Sequence, residues 1–181
     1  MEGPVSPAEI GAAPGGQPAG MSPSLRAPDL AAAQELARNS DSALVLLVSS
    51  DPAVLKAAAR AIAQQLDWRA VDLNRDLTQR LLPYSPSERV AEAWDALQAI
   101  VGEHSKGVVV TSTDVLFEPS LGYRPYEALR RLGRRGPMVA AWLGTVDGRD
   151  IVRAEPGHPE YVRAKLDVPF VLASDIRGTA E

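Results

Sequence analysis

The residues whose types could bind a phosphate lie in the loop 49–56, between an apolar run and a helical pattern. A phosphate-binding loop in this position reads G-x-x-x-x-G-K-[ST], because its glycines expose backbone N–H groups and its lysine contacts the β and γ phosphates. Here Leu55 and Lys56 occupy the last two positions, and the loop contains no glycine. Asp51 places a carboxylate where a phosphate would lie, and Pro52 has no N–H to donate. The loop therefore predicts a capped helix start, with a nucleotide held by an altered loop as the alternative.

The other half of such a site is an acid that ends a buried strand and holds the water shell of Mg²⁺. After the apolar run 108–110 the chain has Thr111, whose hydroxyl is a weak ligand compared with a carboxylate. Asp114 is the nearest acid, and we expect it to cap the next turn, with a general base as the alternative. Lys56 lies one position past the lysine position of the motif. Because one residue turns a helix by roughly 100°, its amine need not face the loop. A nucleotide held by this altered site would contact Ser49, Ser50, Asp51, Leu55, Lys56 and Thr111.

Four arginines surround Gly133: Arg130, Arg131, Arg134 and Arg135. Cations at the end of a helix are favoured by its dipole, so the cluster predicts a solvated helix end. Two functional alternatives remain. Arg134 could serve as a catalytic finger on a neighbour's phosphate, or the cluster could hold the backbone of DNA.

The segment 154–161 reads AEPGHPEY, with two prolines and two acids around an imidazole. Glu155, His158 and Glu160 could be metal ligands or an acid–base group. Their spacing matches no metal motif, so the segment predicts a rigid turn held by local hydrogen bonds. No metal site is predicted, and His104 is expected only to face a helix dipole.

The elements that would position these residues alternate between strand and helix, which predicts an α/β fold with a mostly parallel sheet and helices on both faces. Helical spacing predicts that Leu36, Val54 and Val90 face the core. Asp147 and Gly148 predict a tight hairpin. Parallel strands place a ligand crevice at their carboxyl ends, here residues 49–52, 74, 111–114 and 144–145. The predicted strands are 43–48, 70–73, 107–111, 138–143 and 168–173, and the predicted helices begin near residues 29, 52, 74, 86 and 125.

Composition sets limits on the function. The chain has 181 residues, 45% hydrophobic and 23% charged, which is ordinary for a soluble protein with one core. The absence of cysteine removes disulfides and thiolate sites, and a net charge of −4 gives no global attraction to nucleic acid. No apolar run approaches the ~20 residues of a membrane span, so a cytoplasmic protein is expected. Residues 1–28 are rich in Pro, Gly and Ala and predict a disordered tail, followed by a single domain over 29–181.

Over roughly residues 30–173 the order of segments resembles BrxF, the small P-loop protein family of type 3 BREX bacteriophage-defence systems. The resemblance rests on the apolar strand 44–48, the segments 71–74 and 81–82, the run 108–117, the strand 139–144 and, most specifically, the octet 154–161. It implies a three-layer P-loop NTPase-like fold of the RecA/AAA kind. ATP with Mg²⁺ enters only through this resemblance, since the residues themselves predict no cofactor.

The chain departs from the family pattern at both halves of the nucleotide site. Leu55 and Lys56 replace the Lys-Ser/Thr pair, and Thr111 stands at the position of the acid. The resemblance therefore implies a non-catalytic scaffold or regulator with a degenerate ATP site, acting beside other BREX proteins and associated with DNA only indirectly. The alternatives are a divergent ATP hydrolase completed by a partner, and a DNA-binding accessory that uses the arginine cluster.

Overall fold

The computed structural model describes residues 29–102 and 106–176; the predicted tail and His104 lie outside the described residues. The described chain is an α/β fold with a five-stranded sheet and a separate three-stranded sheet. Its helices are α1 (Leu30–Arg38), α2 (Pro52–Leu66), α3 (Leu73–Leu81), α4 (Pro86–Gly102) and α5 (Pro125–Leu132). Its strands are β1 (Leu44–Ser49), β2 (Arg69–Asp72), β3 (Val108–Thr111), β4 (Met138–Leu143), β5 (Thr145–Asp147), β6 (Asp150–Arg153), β7 (Val162–Lys165) and β8 (Phe170–Leu172).

The larger sheet has the order β2-β3-β4-β1-β8, and all its neighbouring strands are parallel. Successive side chains of a strand point to opposite faces. On β1, Leu44, Leu46 and Val48 belong to the core under α3, α4 and α5. Val45 and Leu47 belong to the core under α1 and α2. The mostly parallel sheet flanked by helices, predicted from the sequence, is therefore confirmed.

Aspartates begin three of the helices. The Asp29 carboxylate accepts from the Ala32 N–H at 2.8 Å at the start of α1. Asp51 and Asp72 cap α2 and α3 in the same way. A carboxylate is favourable here because the first N–H groups of a helix have no internal partner and the dipole is positive. The helix starts follow the sequence closely for this local reason.

The predicted inward positions were wrong at three residues. Leu36, Val54 and Val90 are 57%, 37% and 46% exposed. On α1 the buried residues are Leu30, Ala33 and Ala37, so small alanines lie against the sheet and Leu36 lies outside that stripe. On α2 and α4 the buried stripes include large side chains, and Val54 and Val90 lie outside them.

The smaller sheet is antiparallel, in the order β5-β6-β7. The Asp147-Gly148 hairpin is confirmed, and Gly148 has the positive φ of 61° that such a turn requires. Strand β7 was not predicted, because its sequence alternates polar and apolar residues over only a short run. Arg163 on β7 pairs with Asp150 at 2.7 Å and Asp147 at 2.9 Å, which ties this strand to the hairpin. No helix in the described part of the chain is long and apolar enough to cross a membrane.

Candidate functional site

A cavity of about 210 Å³ lies at the carboxyl ends of the parallel strands, the edge where the sequence predicts a crevice. Helix α2 contributes Pro52, Leu55 and Lys56, and the end of β3 with the segment that follows it contributes residues 111–114. Arg153, which the sequence did not single out, completes the wall. Its position could have been found from β6, where the buried Ile151 shares its face and a cation there requires a partner.

The start of α2 already has its N–H donors occupied. The Asp51 carboxylate oxygen Oδ1 accepts from the N–H groups of Ala53 at 2.8 Å and Val54 at 3.3 Å. Pro52 has no N–H, and the Leu55 N–H donates to the Asp51 carbonyl at 3.0 Å. A phosphate at a helix N-terminus needs these same donors. The carboxylate therefore takes the place that a bound phosphate would take.

The remaining residues of the degenerate loop are divided between two environments. Ser49 Oγ accepts from the Asp51 N–H at 3.0 Å, while Ser50 is exposed and borders a second cavity. Leu55, at the lysine position of the motif, is 8% exposed and packs in the core under α1 and α2. Lys56 borders the first cavity and makes no hydrogen bond or ion pair within the described residues. One side chain of the loop thus brings a free positive charge to the crevice.

The end of β3 is bonded to the neighbouring β2 loop. Thr111 Oγ1 donates to the Val71 carbonyl at 3.1 Å, and Ser112 Oγ donates to the Asp72 carboxylate at 3.0 Å. Ser112 has a φ of 52°, a left-handed conformation that is uncommon for a residue other than glycine. Both hydroxyls are hydrogen-bonded to β2. The Thr111 hydroxyl, which stands at the acid position of a Mg²⁺ site, is therefore already used within the chain.

Asp114 belongs to an ionic network around the buried Arg153. Its Oδ1 accepts from Arg153 Nη2 at 2.6 Å, and its Oδ2 accepts from the Asn74 amide at 3.5 Å. The same Arg153 nitrogen donates to Glu160 at 2.7 Å, and its guanidinium lies 4.0 Å from the centre of the Phe117 ring. Arg153 is 5% exposed. The sequence predicted that Asp114 caps the turn after β3, and this was wrong: the turn has no side-chain cap. Asp114 binds Arg153 instead.

A second cavity of about 470 Å³ shares Leu143 and Arg153 with the first. The segment 154–161 borders it and forms the predicted turn: the His158 N–H donates to the Glu155 carbonyl at 3.0 Å, and His158 Nδ1 accepts from the Glu160 N–H at 3.1 Å. His158 is thereby engaged within its own turn. In residues 29–102 and 106–176, no three His, Asp or Glu side chains are grouped so that they could hold a metal ion.

The arginine cluster lies at the opposite edge of the sheet, where α5 ends and leads to β4. Arg130 is half-buried and pairs with Asp167 at 2.9 Å, so it is not part of a solvated helix end. Arg131, Arg134 and Arg135 are exposed. Arg134 therefore lies far from the crevice and from Asp114. The two residues cannot act together in one catalytic site within this chain.

Asp167 also accepts from the buried Tyr126 hydroxyl at 2.5 Å. Burial, and then this hydrogen bond to a carboxylate, raise the pKa of Tyr126 well above its ordinary range. The contact joins α5 to the segment between β7 and β8, and so helps to fix the small sheet that carries Arg153.

Comparison of the chain with known protein families, with curated proteins and with solved structures finds no match. The crevice is balanced in charge. Its lining carries the cations Lys56 and Arg153 and the acids Asp72 and Asp114, which balance one another. Such a lining offers no net attraction to a triphosphate.

Proposed function

We propose that this protein is a non-catalytic, P-loop-like scaffold or regulator with a degenerate ATP site, acting in the cytoplasm as an accessory subunit of a BREX-type phage-defence system. The path of the chain supports the P-loop-like part of this proposal. A phosphate-binding loop joins a strand to the helix that follows it. Here β1 is separated from β3 by β4, and α2 follows β1 directly.

The observation that carries the proposal is the Asp51 cap. Its carboxylate occupies the Ala53 and Val54 donors at 2.8 and 3.3 Å. A phosphate would have to displace the Asp51 carboxylate from these donors. The carboxylate would stay close to the phosphate, because it is part of the chain. Because Asp51 is exposed, Coulomb repulsion between two such charges about 4 Å apart is on the order of 1 kcal/mol, the value in water. This cost opposes nucleotide binding before any contact with the ligand is counted.

Isothermal titration calorimetry of the full chain with ATP and ADP in the presence of Mg²⁺ tests the degenerate site. We expect no binding heat above dilution. Micromolar binding of either nucleotide would overturn the proposal. The assembly part has its own test, in which the tagged chain is co-expressed with the other proteins of a BREX system. Stable co-purification that persists in the Lys56→Ala variant supports a scaffold, and failure of every component to co-purify contradicts one.

One observation favours a second candidate, a nucleotide hydrolase completed by a partner. Lys56 brings an amine without a partner in the described residues to the cavity wall. In this case the partner would supply the missing donors and the acid. ATP turnover should then appear only when the partner proteins are added, and should fall in Asp114→Asn or Arg134→Ala. If turnover in each variant equals that of the unaltered chain, these residues take no part in the reaction.

A further inference from the structure

Two exposed arginines are held side by side along α4. The Arg131 guanidinium lies 4.1 Å from the centre of the Trp94 ring, and Arg135 Nη2 donates to Gln98 Oε1 at 2.5 Å. Trp94 and Gln98 are one helical turn apart on α4, whereas Arg131 lies in the last turn of α5 and Arg135 in the turn that follows it. The two contacts therefore place both cations over the same side of α4. Arg134 lies between them in the sequence and is exposed. We call Arg131, Arg134 and Arg135 the arginine face.

The helix end does not require these arginines. The last carbonyl groups of α5 all have other donors: the Gly133 N–H bonds Leu129, the Ser42 hydroxyl bonds Arg130, and the Arg135 N–H bonds Leu132. The Arg131 carbonyl accepts from backbone N–H groups as well. Favourable charge at a helix C-terminus is the ordinary explanation for such a cluster. Here the carbonyls are already satisfied, and the guanidinium groups extend over α4 or toward solvent.

The arginine face also lacks a neutralising carboxylate. No Asp or Glu within the described ranges forms an ion pair with Arg131, Arg134 or Arg135. The neighbouring Arg130, by contrast, pairs with both Asp167 and Glu127. Burial raises the pKa of the Tyr123 phenol, Arg131 lowers it and the nearby Asp95 on α4 raises it, but Asp95 forms no ion pair with the arginines. In a chain with a net charge of −4, this is a local positive surface.

We propose that the arginine face binds the phosphodiester backbone of a nucleic acid. The planar guanidinium fork donates two parallel N–H groups to a phosphate. Stacking on Trp94 and bonding to Gln98 fix two of the forks in advance, so less side-chain entropy is lost on binding. An acidic protein is the competing partner, and it is disfavoured because α4 and α5 expose a single large hydrophobic side chain in the described residues, Val90 on α4, which is too little for the apolar centre of a protein interface. Binding of this kind reads charge and not sequence.

The test uses the full chain and fluorescein-labelled DNA of mixed sequence, double-stranded and single-stranded, in anisotropy titrations over a series of salt concentrations. We expect log Kd to depend linearly on log salt for at least one of the two DNA forms. Each arginine that contacts a phosphate contributes about 1 to that slope, so the arginine-face variant Arg135→Gln should reduce the slope by about 1. The matched control is Arg60→Gln, which removes the same charge from the exposed surface of α2, on the other side of the sheet.

Urea unfolding of each variant confirms that the fold is retained. The proposal is overturned if the unaltered chain shows no salt-sensitive binding to either DNA form. Equal slopes for Arg60→Gln and the arginine-face variant would also overturn it, because binding would then follow net charge alone. A third overturning result is binding of polyglutamate but not of DNA, which would assign the face to an acidic protein. None of these outcomes depends on whether the crevice binds ATP.

Discussion

The Asp51→Ala variant separates the two roles assigned to this carboxylate, which caps α2 and blocks its anion site. The substitution removes the hydrogen bonds from the Ala53 and Val54 N–H groups at 2.8 and 3.3 Å. Loss of an aspartate N-cap costs about 1 kcal/mol of unfolding free energy. The exposed position of Asp51 argues against a larger value, because water can bond the released donors.

Urea unfolding followed by circular dichroism measures this cost. With a urea slope of about 1–3 kcal/mol/M, a loss of about 1 kcal/mol lowers the midpoint by about 0.3–1 M. Asp51→Asn keeps an acceptor oxygen and removes the charge, so it should lose only a few tenths of a kcal/mol. Asp29→Ala is the matched control, because it removes the corresponding cap of α1, whose carboxylate accepts from Ala32 at 2.8 Å and does not border the crevice. We expect it to cost about as much as Asp51→Ala.

The second readout is the thermal midpoint with and without Mg²⁺ and ATP. A ligand present at its dissociation constant adds RT ln 2, about 0.4 kcal/mol, to the unfolding free energy. Only Asp51→Ala exposes the donors of α2, so only this variant should gain stability with nucleotide. The reasoning is refuted if the unaltered chain gains as much as Asp51→Ala. It is also refuted if Asp51→Ala unfolds at the same urea midpoint as the unaltered chain.

Three further predictions concern the contacts that hold the site. Tyr126→Phe should cost about 1–2 kcal/mol in urea unfolding, because it leaves Asp167 without its hydroxyl donor. Because the folded-state pKa of Tyr126 is raised, the unaltered chain should lose stability as the pH rises above 10, the ordinary tyrosine value, and Tyr126→Phe should lose less over that range. Gly144→Ala should lower the free energy of unfolding by about 3 kcal/mol or prevent folding, since its Cβ would lie 2.0 Å from a backbone carbonyl oxygen. Gly136→Ala is the control: a Cβ there has no atom within 4 Å, so its urea midpoint should be nearly unchanged. Arg153→Met should lower the urea midpoint and increase hydrogen exchange in the segment 154–161, because two carboxylates lose their shared cation; unchanged exchange there would contradict the network.

Local chemistry explains which parts of the fold could be predicted. Pro52 and Pro125 begin helices at the residues where the sequence placed them, because proline at the first helical position supplies a fixed φ and lacks only a donor that the helix does not use. The strand 138–143 was predicted at its observed bounds, since a fully apolar run of that length between turn residues suits a buried parallel strand. These features depend on a few neighbouring residues.

The candidate site was less predictable because its contacts span the chain. Arg153 meets Asp114 across 39 residues of sequence, and Ser112 meets Asp72 across 40. No local pattern announces such pairs. The same limitation applies to Lys56, which is one of the residues that line the cavity although its position in the sequence, one past the lysine of the motif, does not predict this. The inward position of Arg153 on β6 was the one available signal.

The two edges of the parallel sheet differ in how their polar groups are used. A site that binds a nucleotide must keep donors unpaired until the ligand arrives, which costs stability in the empty protein. At the carboxyl edge the donors at the start of α2 and the hydroxyls after β3 are bonded within the chain, so the crevice is stable without a ligand. Within the described residues, the crevice keeps one unpaired cation, Lys56, whereas at the opposite edge the three exposed cations Arg131, Arg134 and Arg135 form no ion pair. Unused bonding capacity is what a partner can recognise, and this asymmetry directs the search for one to the α4–α5 surface.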